Sequence, residues 1–279
     1  MMIISVKRKI KSFFSHSKWF IQLKKRKKVK INSREIHLGN RKCLYIVPHA
    51  DDEMFGGYET ISRYSDNILL FYCGLLGSNY TDLNRNIRLQ EFVKLCDINN
   101  FSYAICDRDL KNAFKKVIEE YKPDTIFLPS IIDWHNEHRL TNRYLFDYCN
   151  EGVLSFDSID IIWYQVSVPL SPEYITWYQE LSKSRLAHKF NMFREVYISQ
   201  SFMPVKRFEL ESRYIGSCCS VYSAEPFILL SGLKWKKIIE YVYSNGLEND
   251  FDIMKSMINE LFSINEKSNH FYHLIMENA

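Results

Sequence analysis

Between residues 41 and 166, short apolar runs alternate with stretches whose apolar positions recur every three or four residues. The runs are 43–47 (CLYIV), 68–73 (ILLFYC), 101–105, 125–128 (TIFL) and 159–166 (IDIIWYQV). Runs of four to eight largely apolar residues suit strands covered on both faces. Helical stretches follow the first, second and third runs: onward from Pro48 to Tyr64, over 83–96, and over 110–121. In the last of these, Ala113, Val117 and Ile118 form an apolar side, and Lys111, Lys115 and Lys116 a polar one. Strands alternating with helices predict βαβ units. The expected fold is therefore α/β, a Rossmann-like, mostly parallel sheet with helices on both faces. Beyond about residue 170 the alternation fades. Helices are predicted over 186–198, 234–243 and 253–262, which gives the fold a helical C-terminal part. No Gly/Ser-rich linker and no internal repeat interrupts 41–279, so this region reads as one domain.

Composition narrows the class. Of 279 residues, 46% are hydrophobic and 25% charged, values that exclude a disordered, collagen-like or disulfide-scaffold chain. No run of about 18 apolar residues occurs, so no segment is expected to span a bilayer. Cys43, Cys73, Cys96, Cys106, Cys149, Cys218 and Cys219 form no CxxC pair, and several sit inside apolar runs. They read as small, reduced hydrophobes, which points to the cytoplasm.

The net charge of +4 conceals an asymmetry. Residues 1–42 hold 14 Lys and Arg against one acid, Glu35, a net +13; the remainder holds 23 bases against 32 acids, a net −9. Residues 1–40 thus form a basic leader. Its apolar positions Ile3, Val6, Ile10, Phe13, Phe14, Phe20 and Ile21 fall on one helical arc, whereas Ile4 and Trp19 do not. Charges interrupt every apolar stretch and no small-residue cleavage site follows, so this is not a secretory signal. Lys24-Lys25-Arg26-Lys27-Lys28 comes next, with Lys30 close behind. An amphipathic helix beside a polybasic segment suits the surface of an anionic membrane through residues 1–30. A solvated arm is the plain alternative. Nucleic acid ranks behind both, because the body is acidic.

Two loops carry candidate chemistry, each at the end of a predicted strand, where open α/β sheets bind ligands. The first is Pro48-His49-Ala50-Asp51-Asp52-Glu53; the second is Asp133-Trp134-His135-Asn136-Glu137-His138. A catalytic zinc takes three nitrogen or carboxylate ligands and keeps one position for water. The metal acidifies that water and polarises a carbonyl, and a carboxylate outside the coordination sphere can take the water proton. His49 and Asp52, three residues apart, can reach one side of a tight turn, with Asp51 free to face the water. An acidic trio after a strand can equally cap a helix, and His-x-x-His can be a solvated helix face. Both loops at adjacent strand ends favour the metal site.

These segments resemble the PIG-L/LmbE family of zinc-dependent N-acetylglucosamine deacetylases, whose motifs are AHPDDE and HPDH or a close variant. Arg88 and Glu91 resemble the family's RxxE element, 189–200 (KFNMFREVYISQ) a later Lys-to-Ser-Gln segment, and 224–227 (AEPF) its AExF stretch. The match runs from about residue 41 to 230, leaving the leader outside. The resemblance implies His49, Asp52 and His138 as metal ligands and Asp51 as general base. It implies His135 as the group facing the oxyanion or protonating the leaving amine. Glu137 would orient that histidine as a second-shell acid, and Arg88 would contact substrate hydroxyls or phosphate. Pro48 and Ala50 exchange the usual order around His49, and Asn136-Glu137 replaces Pro-Asp, lengthening the carboxylate by one methylene.

The expected activity is hydrolysis of the acetamide of an N-acetylhexosamine conjugate, with Zn²⁺ as cofactor; Fe²⁺ accepts the same ligands. The basic leader favours a lipid-linked or nucleotide-linked glycan handled at the cytoplasmic membrane face. The alternatives are a metal-dependent amidase for another amide conjugate and a catalytically idle, membrane-docked partner in a glycan pathway.

Overall fold

A computed structural model describes residues 17–26, 29–76, 81–106 and 109–279. Eight strands form one sheet: β1 (Arg34–Glu35), β2 (Cys43–Val47), β3 (Ile68–Tyr72), β4 (Ser102–Ile105), β5 (Thr125–Pro129), β6 (Asp160–Tyr164), β7 (Trp177–Leu181) and β8 (Ser223–Ser231). Their order is β1-β7-β8-β6-β5-β2-β3-β4. From β6 to β4 all neighbours are parallel, while β8 runs antiparallel to both β6 and β7. Residues 17–25 are helical (α1). Then come α2 (Asp52–Arg63), α3 (Asp82–Asn99), α4 (Leu110–Tyr121), α5 (Asn136–Asn150), α6 (Lys183–Val196), α7 (Val205–Cys218), α8 (Gly232–Ser244) and α9 (Leu261–Glu277).

Every residue of β2 is buried because successive side chains enter different cores. Cys43, Tyr45 and Val47 pack with Met54, Phe92 and Phe190 on one face; Leu44 and Ile46 pack with Phe114, Leu145, Trp235 and Tyr272 on the other. The mostly parallel sheet with helices on both faces is thus the observed fold.

The chain beyond residue 170 differs from the helical expectation. It contributes β7 and β8 as well as helices. In β7, Trp177, Gln179 and Leu181 are buried while Tyr178 and Glu180 are not, so a strand lies behind a polar, aromatic sequence. In β8, Glu225 and Pro226 interrupt the apolar run. The helix expected over 253–262 is instead a 3-10 segment, Leu247–Met257, followed by the start of α9. Helices α5 and α7 have no counterpart among the expected elements.

The leader's described part packs against the body. Trp19, Leu23, Ile31, Ile36 and Leu38 are buried, and β1 pairs with β7. The expected apolar positions Ile3, Val6, Ile10, Phe13 and Phe14, and the basic Lys27 and Lys28, lie outside the described residues. Among the described residues no helix is long and apolar enough to cross a membrane.

Helix α2 begins at the first candidate loop and lies close over the sheet. A Cβ on Gly56 would stand 2.3 Å from the Tyr164 ring and 2.6 Å from the Tyr45 hydroxyl, so only glycine allows this approach. The helix breaks at Gly57, and the break leaves backbone donors that need partners. Glu225 supplies them: its carboxylate accepts from the amides of Glu59 and Thr60 at 2.9 and 3.0 Å and from the Thr60 hydroxyl at 3.0 Å. Lys189 Nζ, buried with it, donates to Glu225 at 2.8 Å. The lysine and AEPF segments read from sequence therefore meet beneath α2, where they brace the helix that carries the first loop.

Candidate metal centre

Strands β2 and β5 are neighbours, and from them the sheet extends through β3 and β4 to one side and through β6 to the other. The loops leaving their carboxyl ends therefore meet at a topological switch point. The first loop turns sharply from β2 into α2. Asp52 Oδ2 accepts from the His49 amide at 2.8 Å, which folds the turn. Asp51 has φ 136° and ψ −15°, a backbone conformation that non-glycine residues rarely adopt and that costs about 1–3 kcal/mol. Its own amide donates to Glu53 Oε2 at 3.2 Å, and the Tyr197 hydroxyl donates to Glu53 Oε1. Burial pushes the Glu53 carboxyl up to about 8.

The second loop runs from β5 into α5, with His135 at the helix cap and His138 in its first turn. The two loops bring three donor atoms together. His49 Nδ1 lies 3.0 Å from His138 Nε2, and each lies 3.3 Å from Asp52 Oδ2. A tetrahedral ion with ligand bonds of about 2.0–2.1 Å has edges of about 3.3–3.4 Å. The triangle therefore fits a divalent cation, and its donors, two imidazoles and a carboxylate, are those that zinc and iron(II) accept.

Electrostatics point the same way. Burial pulls the imidazole of His49 down, but Asp52 and Glu137 outweigh it and raise its pKa to about 9. For His138, Asp52 and Asp133 overcome burial and raise it to about 10. Burial opposes ionisation of Asp52, yet the two imidazoles hold its carboxyl far below the usual carboxylate range. The pocket thus concentrates negative charge around two nitrogens, as a cation requires.

Carboxylates orient both imidazoles from behind. His138 Nδ1 faces Asp133 Oδ2 at 3.1 Å. Asp133 is itself fixed by the amides of His135, at 2.9 Å to Oδ1, and Ser167, at 3.1 Å to Oδ2. Such outer carboxylates set the tautomer of a metal-binding histidine. In the sequence, the signal for Asp133 is a carboxylate two residues ahead of His135 and five ahead of His138. Glu137 Oε2 lies 2.6 Å from His49 Nε2. The resemblance implies that this acid orients His135; here it also reaches His49, with His135 close by in the same cluster.

Glu137, His135 and His49 Nε2 also form a second cluster of candidate ligands. A neutral imidazole has one lone pair, so His49 serves one cluster at a time. The Asp52 and His138 set is the more buried of the two and has the tetrahedral edges.

The remaining expected residues line the same cavity, of about 200 Å³, with Phe55, Leu76, Val166, Gln200, Phe202 and Met203 around them. Arg88, only 4% exposed, donates from Nη2 to Asp51 Oδ1 at 3.1 Å. Its Nε and Nη1 are buried without a hydrogen-bond partner among the described residues. Burial lifts the Asp51 carboxyl to about 6 even though Arg88 pulls it down. His135 stacks on Trp134 at 3.8 Å, and burial, aided by the charge of His138, lowers its pKa to about 4. Phe202 and Met203 at the cavity wall were not anticipated; no local pattern distinguishes them from ordinary surface or core residues.

No model of a protein family matches this sequence, and no curated protein matches it. Solved structures do match in shape. N,N'-diacetylchitobiose deacetylase from Pyrococcus horikoshii aligns with a TM-score of 0.53 and 18% identity, over 72% of this chain and 89% of that chain. A conserved protein from Thermus thermophilus aligns at 0.53 and 16% identity, over 67% and 94%. The deacetylase of the A40926 pseudoaglycone aligns at 0.51 and 13%, over 69% and 98%. The chain therefore has the fold seen in these three structures.

Proposed function

We propose that this protein is a metal-dependent hydrolase that removes the acetyl group from an N-acetylhexosamine conjugate. The observation that carries the reading is the triangle of His49 Nδ1, Asp52 Oδ2 and His138 Nε2, with edges of 3.0–3.3 Å, at the floor of a cavity that also holds Asp51, His135 and Arg88. Two of the structures with this fold are described as deacetylases of N,N'-diacetylchitobiose and of the A40926 pseudoaglycone, and this supports the reaction class.

His49, Asp52 and His138 would hold the zinc ion, which would supply Lewis acidity toward the attacking water and the acetamide carbonyl. Asp51 takes the water proton as the new C–O bond forms and returns it to the amine nitrogen as the C–N bond breaks, so that acetate and the free amine leave. Its carboxyl, near 6, is ionised at neutral pH yet more basic than a solvated aspartate, as a general base should be. Arg88 holds Asp51 Oδ1 and keeps two N–H groups for an acceptor on the substrate, a sugar hydroxyl or a phosphate. His135 stays neutral at pH 7 because its pKa is near 4, so it acts on the developing oxyanion as a hydrogen-bond donor and not as an imidazolium acid. A cavity of about 200 Å³ is smaller than the roughly 300–1,000 Å³ typical of drug-sized ligands. It takes the acetamide end of the sugar, and the attached group remains at the mouth beside Phe202. A lipid-linked or nucleotide-linked glycan in the cytoplasm fits that arrangement, and Arg88 suits the phosphate of either.

The test is acetate release from a panel of acetamides, run after chelation and again after adding Zn²⁺ or Fe²⁺. Release from N-acetylglucosamine conjugates that vanishes on chelation and returns with metal is the expected result. Release only from non-sugar amides would favour the amidase alternative, and metal-independent release would overturn the proposal.

A further inference from the structure

The helix α1 presents two unlike faces. At 100° per residue, Trp19, Leu23, Gln22 and Arg26 share one side, and all four are engaged by the body. Trp19 and Leu23 are buried, and the Trp19 indole donates to the Asn259 carbonyl at 3.2 Å. Gln22 Nε2 donates to Glu260 Oε2 at 3.0 Å, and the Arg26 guanidinium lies 3.8 Å over the Tyr214 ring. Lys18 adds an ion pair with Glu260. The opposite side carries Phe20 and Ile21, 45% and 53% exposed, flanked by the exposed Lys24 and Lys25. Trp19 fell outside the sequence's apolar arc because it belongs to the docked side.

Two large apolar side chains held out in water by a fixed helix, between cations, match one kind of surface. Phosphates attract the lysines and acyl chains receive the phenyl and sec-butyl groups. The apolar surface continues along α1 into an open groove of about 540 Å³, whose wall includes Val221 and Tyr222 and whose rim includes Arg213. A nucleic-acid backbone would use the cations and leave Phe20 and Ile21 without partners.

We infer that α1 seats this protein on an anionic lipid surface through Phe20, Ile21, Lys24 and Lys25. Lipid binding is read without substrate, so this inference and the proposed function can fail independently.

The experiment is flotation of the full chain with vesicles of phosphatidylcholine alone or mixed with phosphatidylglycerol. The full chain should float with the anionic vesicles and not with the neutral ones. Phe20→Glu/Ile21→Glu should lower partitioning at least about tenfold with an unchanged melting curve. If that variant melts early, Lys24→Glu/Lys25→Glu, at exposed positions, serves with the same expectation. No flotation with anionic vesicles, or equal flotation of full chain and variants, overturns the inference. So does duplex DNA displacing the protein from the vesicles when the variants bind that DNA as well as the full chain does.

Discussion

Replacing Asp51 with Asn is expected to lower the rate of acetate release by about 10²–10⁴-fold, the usual loss when a general base is removed. Asparagine keeps the oxygen that accepts from Arg88 Nη2 and removes only the ability to take a proton. Asp51 stands outside the donor triangle, so the variant should hold metal as tightly as the parent does. Retention of more than about a tenth of the parental rate would show that another group moves the proton. The pH profile gives an independent view. Burial raises the Asp51 pKa to about 6, and the base must be ionised, so kcat/KM falls as pH drops through that region. A bound cation favours the charged form, which places the inflection at or below pH about 6. Asp51→Asn should abolish that inflection.

His138→Ala is expected to weaken metal binding by more than about 10²-fold, since losing even an outer carboxylate behind a ligand typically costs 10–100-fold. The substitution also strands Asp133, which faces His138 Nδ1 in a fully buried position, so some loss of thermal stability accompanies it. Competition with a chromophoric chelator measures the affinity directly. A His138→Ala variant that binds zinc as tightly as the parent would mean that the cation lies elsewhere, with the His49 Nε2, His135 and Glu137 group as the first place to look.

Those two residues were readable from sequence because their chemistry is local. His49, Asp51 and Asp52 occupy a single turn, and His135 and His138 lie within one turn of α5. Strands β2 and β5 were equally plain, since burial on both faces makes each a nearly continuous apolar run. What escaped was decided at long range. Glu225 breaks the apolar pattern of β8 because it satisfies amides of α2 some 165 residues away. Glu180 gave β7 a polar appearance because that strand is buried at only alternate positions, and Gln179 added to it from a buried position. Asp133 shares its loop with His138, but its other anchor, the Ser167 amide 34 residues on, is not announced by its neighbours in sequence. Glu137 sits where the family pattern puts an acid, and its contact with His49, 88 residues away, is not announced by the local sequence.

The most direct measurement is anomalous diffraction at the zinc edge from crystals grown with the metal. The account predicts a single peak within about 2.0–2.2 Å of His49 Nδ1, His138 Nε2 and an Asp52 oxygen. No peak at that point, or a peak bound through His49 Nε2 and Glu137 instead, would contradict it.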